Sequence, residues 1–467
     1  MKELEIAIED ALTVHGFERK DFQRQSGRVR DIIDSYVKKD ENDEKRLNQI
    51  GDEFNKYAKD VPKLKVKNDH LFNEYQRIKA EQRFGKTTNV SLIEGFVSEK
   101  DLPVLKESIE RNFKYASVNE MAITDNDAVP TKLENTGVTK SFELVLDLYG
   151  MPSSKSFDPT VFLMPYFLIF FGFCMTDGGY GILLSLIALF LIKKYKPIFG
   201  DSKLMWVLFA GGLATIAVGA ITGGWFGDII DYLPDSMSGV KALKDKMMLF
   251  DPLKQSMVFF VVALGIGFSH LIYALTLSFV RFIQIGKAFD GICDKLTWII
   301  FLVSLLLFVL ASNGVLPQNL AIIFKYSFIG AGAAIALLTG RGASSIPTKL
   351  ASGLYNLYGG TAYVGDTLSY LRLLALGLTS GVIANVINNI CKLAYNGLPY
   401  FGVILAILIF VGGHLFNLAM GILGSFVHTL RLNYAEFFPK FFEGGGKKFV
   451  PFKKDLTYTI FNDEERK

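Results

Sequence analysis

One apolar stretch near the end of the chain carries His414, Asn417, Gly421, Gly424, His428 and Arg431. The steps between them are three or four residues, so all six fall on one helical face. The remaining faces are mostly Leu, Ile, Phe and Val. A stripe of polar and very small residues at membrane depth fits a hydrated ion path or a close helix contact. Singly, each histidine reads as a packing residue; as a stripe ending in Arg431, they favour the path. A metal site does not follow, because histidines fourteen positions apart stand about 21 Å apart along a helix axis.

A second apolar stretch holds Asp366, Ser369, Arg372, Thr379, Ser380, Asn385, Asn388 and Asn389. Arg372 lies within SYLRLLALGL, with apolar residues on both sides. An arginine at the bilayer centre costs about 2.5–3.5 kcal/mol on insertion scales. Water or a carboxylate must offset that cost; a snorkelling or internally paired arginine is the structural alternative. Asp366 is six residues away and off-face, a poor partner, so the anion is expected from another chain. The other polar groups at depth carry less. Lys325 can snorkel, His270 reads as hydrogen-bonded core, and Gly211, Gly212, Gly219, Gly223 and Gly224 read as close helix packing.

The elements that must position these residues follow from composition. Half of the 467 residues are hydrophobic and net charge is +4, which argues against a nucleic-acid partner. Residues 1–156 hold 26 Lys/Arg and 29 Asp/Glu, whereas 157–467 hold 24 and 17. The first part reads as a polar soluble domain and the second as a transmembrane domain. Hydropathy suggests eight spans, at 160–176, 178–195, 204–226, 256–281, 294–312, 319–339, 358–393 and 400–437. Thr176 to Gly179 fits a tight hairpin between the first two. The last two spans would reach ~55 Å against a hydrocarbon core of ~30 Å, so they tilt steeply or project. Lysine and arginine collect in alternate loops (Lys193, Lys194, Lys196 and Lys203; Arg281, Lys287 and Lys295; Arg341 and Lys349) and in the tail. This bias and the even span count put both termini in the cytoplasm. Met1 to Phe17 has no signal-peptide core, and Cys174, Cys293 and Cys391 have no reason to pair.

The overall expectation is a mainly α protein: an N-terminal cytoplasmic α+β arm, then an eight-span helical domain with two long tilted helices. In the arm, Leu47, Ile50, Phe54, Tyr57, Val61, Leu64, Leu71, Tyr75 and Ile78 keep a heptad rhythm, as in a coiled coil. Pro62 should kink or break it. A small lobe follows. Val90–Val97 reads as a strand, Ser98 begins a helix, Tyr115–Ile123 reads as a returning strand, 124–138 as a linker, and 139–149 as a helix ending at Gly150.

Three segments carry a family resemblance. DPTVFLMPYFLIFFGFCMTDGGYGILL (158–184), GDTLSYLRLLALGLTSGVIA (365–384) and VHTLRLNYAEFFPKFFEGGGKKFVPF (427–452) resemble subunit a, or subunit I, of V-type and archaeal-type rotary ATPases. SLIEGFVSEKDLPVLKESIE (91–110) looks like that family's cytoplasmic proximal lobe. The family's cytoplasmic half is normally longer, which points to a truncated start. Relatives in eukaryotes carry an acidic residue where Gly421 stands here, so that relay is not carried over.

The resemblance implies a stator subunit without a catalytic site of its own. Two ion half-channels would face a rotating ring of small ion-binding membrane subunits. Arg372 and Arg431 would serve ion translocation, and His414, Asn417, His428, Ser369, Asn385 and Asn388 would line the half-channels. The arm would hold peripheral-stalk subunits, and the central stalk and ATPase sector would complete the assembly in a prokaryotic cell membrane. The ion would be H⁺ or Na⁺, and no cofactor or metal is implied. The chain has no GxxxxGK[ST] phosphate loop. The alternative is a stand-alone secondary ion transporter, which often shows two matching broken helices from an internal repeat; no convincing repeat is visible.

Overall fold

The structure is a computed structural model that describes residues 28–124, 127–154, 156–194, 202–232, 234–339, 341, 346–397 and 401–458. Met1 to Phe17 and Lys196, used above for address and charge bias, lie outside the described residues. The chain forms two compact units, one of residues 1–114 with 450–467 and one of 115–449. Both are mainly helical.

In the first unit, α1 (Val29–Ala58) and α2 (Val61–Glu81) are separate helices. The break falls at Lys59–Asp60, and Pro62 occupies the first turn of α2. A proline is tolerated there because its missing N–H would have had no helical partner. The heptad side chains Leu47, Phe54, Leu64 and Leu71 stay exposed, so no described helix covers the seam. The tail lies on α2: Asn73 and Asp455 exchange hydrogen bonds at 2.7 Å each, and Tyr458 N donates to the buried Asp69 carboxylate at 3.0 Å. The strand expected over Val90–Val97 shrinks to β2 (Ser91–Leu92), paired antiparallel with β1 (Gly85–Lys86). Helix α3 (Leu102–Asn112) follows, with Leu102 N bonded back to Ser98 O.

In the second unit, the expected strand at Tyr115–Ile123 does not form. A short strand appears instead in the supposed linker. β3 (Pro130–Thr131) pairs in parallel with β4 (Lys447–Lys448), more than three hundred positions away. Helix α4 (Val138–Tyr149) ends at Gly150, whose φ of 142° suits glycine.

The membrane-type helices are α5 (Thr160–Met175), α6 (Gly178–Lys194), α7 (Lys203–Thr222), α9 (Ser256–Gln284) and α10 (Ala288–Ser312). They continue with α11 (Gln318–Leu338), the interrupted run Pro347–Gly397 and the run Phe401–Lys440; the amphipathic α8 (Ser238–Met247) lies between α7 and α9. Among the described residues, six are long and apolar enough to cross a bilayer, against the eight expected. The shortfall is α5 and α6. They have 16 and 17 residues, about 24–26 Å, less than a ~30 Å hydrocarbon core.

The seventh expected span is also not one helix. Residues 358–393 fall on α13 (Thr361–Ser369) and α14 (Leu371–Gly397), after a separate α12 (Ile346–Tyr358). One break is at Gly359–Gly360; the other is at Tyr370, where 3₁₀-type bonds run from Tyr370 N to Thr367 O and from Leu373 N to Tyr370 O. The last helix, α15 (Phe401–Arg431), has 31 residues, about 46 Å. It passes into a π-helical turn at Leu432–Phe437 and a 3₁₀ turn at Phe438–Lys440.

The core gathers Phe142, Phe167, Phe171, Tyr180, Leu418 and Phe437 from α4, α5, α6, α15 and the π-helical turn after it. Helices α6 and α7 touch through glycine. A Cβ on Gly219 would sit 2.0 Å from Gly178 N, and one on Gly212 would meet Ser185 at 2.4 Å. The glycines of the third span thus provide close packing. The turn between α5 and α6 is tight, as expected; Thr176 adopts φ 44°. Its hydroxyl donates to Gly377 O of α14 at 2.9 Å, and its carbonyl accepts from Thr222 of α7 at 3.0 Å.

Candidate functional site

The polar stripe of α15 divides into two clusters. The first sits around His414 and Asn417, both buried. Asn417 Nδ2 donates to the Tyr180 hydroxyl at 2.9 Å and to Ser380 O at 3.1 Å. Tyr180 Oη lies 2.6 Å from His414 Nδ1, and His414 Nε2 lies 3.0 Å from Asn388 Oδ1. Asn388 Nδ2 in turn donates to Phe226 O and Asp228 Oδ1, each at 2.8 Å.

These contacts determine the tautomer. The Tyr180 oxygen already accepts from Asn417, so its hydrogen points to Nδ1. Asn388 presents an oxygen to Nε2, so Nε2 carries the proton. The donors therefore run in one direction, from Asn417 through Tyr180, His414 and Asn388 to Asp228. Asp228 is partly exposed, so a buried hydrogen-bond chain reaches an accessible carboxylate. Beside it, the Tyr232 phenol is pushed above its ordinary value, chiefly by the negative charge of Asp228.

The loop that carries Asp228 is held by Asp177. Its carboxylate accepts from Tyr180 N at 3.1 Å, Phe226 N at 2.9 Å and Gly227 N at 2.8 Å. Asn385 stands against Gly227, where a Cβ would meet its Oδ1 at 2.4 Å. That oxygen is buried without a hydrogen-bond partner among the described residues. Asp177, Tyr180 and Asp228 were missed in the sequence. The polar spacing Asp177–Tyr180 was present, but it was read only as hairpin geometry.

The second cluster lies at the other end of α15 and the start of α14. Arg372 is half-buried and stands directly after the Tyr370 break. One of its terminal nitrogens is buried without a partner. Arg431 is exposed at the end of α15. Each guanidinium lies in the other's field, and His428 lies in the field of both. Neither arginine forms an ion pair among the described residues. Glu436, buried in the π-helical turn, lies in the field of both arginines and near the Ser369 hydroxyl. Its Oε2 has no hydrogen-bond partner among the described residues. Asp366 turns elsewhere and pairs with Lys440 at 2.5 Å.

The structure therefore brings Arg372, Arg431, His428 and Ser369 together, and separately His414, Asn417, Asn388 and Asn385. His270 is buried, with Nδ1 2.8 Å from the Tyr370 hydroxyl. The three cysteines are free. No group of three His, Cys, Asp or Glu suited to a metal occurs among the described residues.

The sequence of the chain matches the model of the V-type ATPase 116 kDa subunit family over residues 13–219 and 362–454. The chain belongs to that family. Both clusters fall mainly on matched segments, since α5, α6, α14 and α15 lie within them. The A-type ATP synthase subunit I of Methanocaldococcus jannaschii is 32% identical over 411 residues, covering 83% of this chain and 58% of that protein. The subunit I of Pyrococcus horikoshii is 30% identical over 461 residues, covering 95% and 66%. A V-type ATP synthase subunit I from Chlamydia trachomatis is 24% identical over 384 residues, covering 70% and 56%. The chain thus spans about three-fifths of the length of these family relatives. The apolar helices and this kinship mark it as a membrane subunit.

Proposed function

We propose that the chain is the membrane stator of a rotary ATPase, carrying H⁺ or Na⁺ past a ring of small carboxylate-bearing subunits. Catalysis of ATP hydrolysis or synthesis belongs to other chains. The observation that carries this reading is the pair Arg372 and Arg431: adjacent positive charges, partly accessible, with no ion pair among the described residues. A half-buried cation without an ion pair carries a desolvation cost. A succession of anions offered by a moving partner offsets that cost without locking it.

In this reading, a ring carboxylate reaching Arg372 favours its ionised form and releases its ion. At ~4 Å and an effective dielectric of ~20, the attraction is ~4 kcal/mol, strong enough to block a leak and weak enough for rotation to break. The cluster of His414, Asn417, Asn388 and Asn385 would serve one half-channel. Ser369 and His428, beside the arginines, would serve the other. The spacing of the two clusters along α15 supports two offset paths. Spans α5 and α6 would complete eight crossings by local thinning of the bilayer, with both termini cytoplasmic. The residues before 157 would form the arm that peripheral-stalk subunits hold, and the central stalk and ATPase sector would complete the machine.

The test is Arg372→Ala in the reconstituted complex. ATP-driven ion uptake should vanish while a native gel still shows assembly. Uptake near the wild-type rate would reject the mechanism; failure to assemble would make Arg372 a structural residue.

A further inference from the structure

Three apolar runs end at one place: α9 at Gln284, α10 at Ala288 and the α15 run at Lys440. Between these ends lies a half-open cavity of about 340 Å³. Arg281, Lys287, Lys295 and Lys440 line it, against one lining carboxylate, Glu443. Two of these cations have fixed partners. Arg281 pairs with Glu443 and donates to Phe441 O at 2.7 Å, and Lys440 pairs with Asp366.

Lys287 and Lys295 have no hydrogen-bond or ion-pair partner among the described residues. Lys295 is half-buried, with the negative charge of Asp294 and the like charge of Lys440 both in its field. The turn before Lys287 is fixed, because Gly286 takes φ 80° and Lys287 N bonds back to Phe282 O at 2.9 Å. The cavity therefore holds two ammonium groups that no hydrogen bond or ion pair among the described residues engages. Ile283, Ile285 and Phe289 are exposed close by in sequence, at 48%, 55% and 67%. Cations at the apolar boundary beside exposed apolar side chains match an amphiphile with an anionic head.

We propose that this cavity binds the phosphate of one anionic phospholipid, with Lys287 and Lys295 on the phosphate and acyl chains along Ile283, Ile285 and Phe289. A free phosphate would use the lysines and leave the apolar wall bare. A protein partner would bury the lysines and need no lipid. The cavity's place at the ends of three apolar helices favours the lipid.

The test uses the full chain purified in detergent, with dioleoylphosphatidylglycerol and dioleoylphosphatidylcholine as probes and native mass spectrometry as readout. One phosphatidylglycerol should stay bound per chain, and phosphatidylcholine should not. Lys287→Gln with Lys295→Gln should weaken phosphatidylglycerol binding about twenty-five-fold, about fivefold per lysine. Lys287→Gln alone, at an exposed position, should lose about fivefold even if the double variant misfolds. Equal binding of both lipids, or unchanged binding in Lys287→Gln, overturns the proposal. Displacement by millimolar inorganic phosphate overturns it in favour of a free anion. Unchanged lipid binding with loss of a co-purifying subunit overturns it in favour of a protein partner.

Discussion

Lys440 Nζ lies 2.5 Å from Asp366 Oδ2, so the carboxylate six residues before Arg372 is occupied by another cation. Lys440 also sits over the Tyr363 ring at 4.7 Å. The pair ties α13 to the turn that follows α15. It removes from Arg372 the nearest acidic residue in sequence on its own strand of helices, and leaves Glu436 as the negative charge in its field.

Arg372→Lys should fail in ion uptake nearly as completely as removal of the side chain. Lysine lacks the planar fork of guanidinium and loses its proton more readily when desolvated. Uptake in vesicles, with assembly checked on a native gel, measures it. Activity above about half of wild type would show that charge alone suffices.

Asn388→Leu should destabilise the protein by about 1–3 kcal/mol, because it leaves His414 Nε2–H without an acceptor and Phe226 O without its donor. Asn388→Asp should cost less in folding yet alter the pH profile of uptake, since it places a titrating group next to His414. Thermal unfolding in detergent measures the first and pH-dependent uptake the second. A neutral Asn388→Leu would mean that water replaces the side chain.

Cysteine at His428 should react with a membrane-impermeant aqueous thiol reagent, whereas cysteine at Leu415 should not. Leu415 is 57% exposed and His428 is half-buried. The comparison therefore separates contact with water from contact with lipid, since only water supports the reactive thiolate. Equal reactivity would remove the aqueous path at this end.

Gly219→Ala should cost about 1–3 kcal/mol, because the added Cβ would fall 2.0 Å from Gly178 N. Gly265→Ala in α9 has nothing within 4 Å and should be neutral or stabilising by about 0.5–1 kcal/mol. Unfolding midpoints of the two variants make the test, and equal effects would mean that α6 and α7 separate easily.

Cysteine at Ser236 and at Asn313 should be labelled from the side opposite to cysteine at Lys349 in sealed vesicles. All three positions are exposed. Labelling of all three from one side would overturn the eight-crossing arrangement.

Hydropathy made the long helices legible, because burial in lipid demands long apolar runs whatever their neighbours. The bounds of α5 and α6 were legible to within a residue, at 160–175 and 178–194 against the expected 160–176 and 178–195; helices that short fall below the length of a hydrocarbon core. The Tyr370 break was hidden because no proline marks it; 3₁₀ bonding there follows from packing, with Gly267 of α9 accepting the Tyr370 ring where a Cβ would stand 2.3 Å from it. In the site, Arg372 stood out by its apolar flanks and the α15 stripe by its spacing. Glu436 did not, because the stripe was read only as far as Arg431, and steps of three or four beyond it pass over position 436. The π-helical turn at Leu432–Phe437 bonds i to i+5 and changes that phase. The β3–β4 pairing could not be read from two-residue strands so far apart.

That pairing has a mechanical consequence within the second unit. It clasps Pro130 and Thr131 to Lys447 and Lys448, so helices α4 to α15 all lie on one closed ring of chain. A pull on the two flanks of that ring is borne first by the backbone bonds of the clasp, before any helix inside it feels the load.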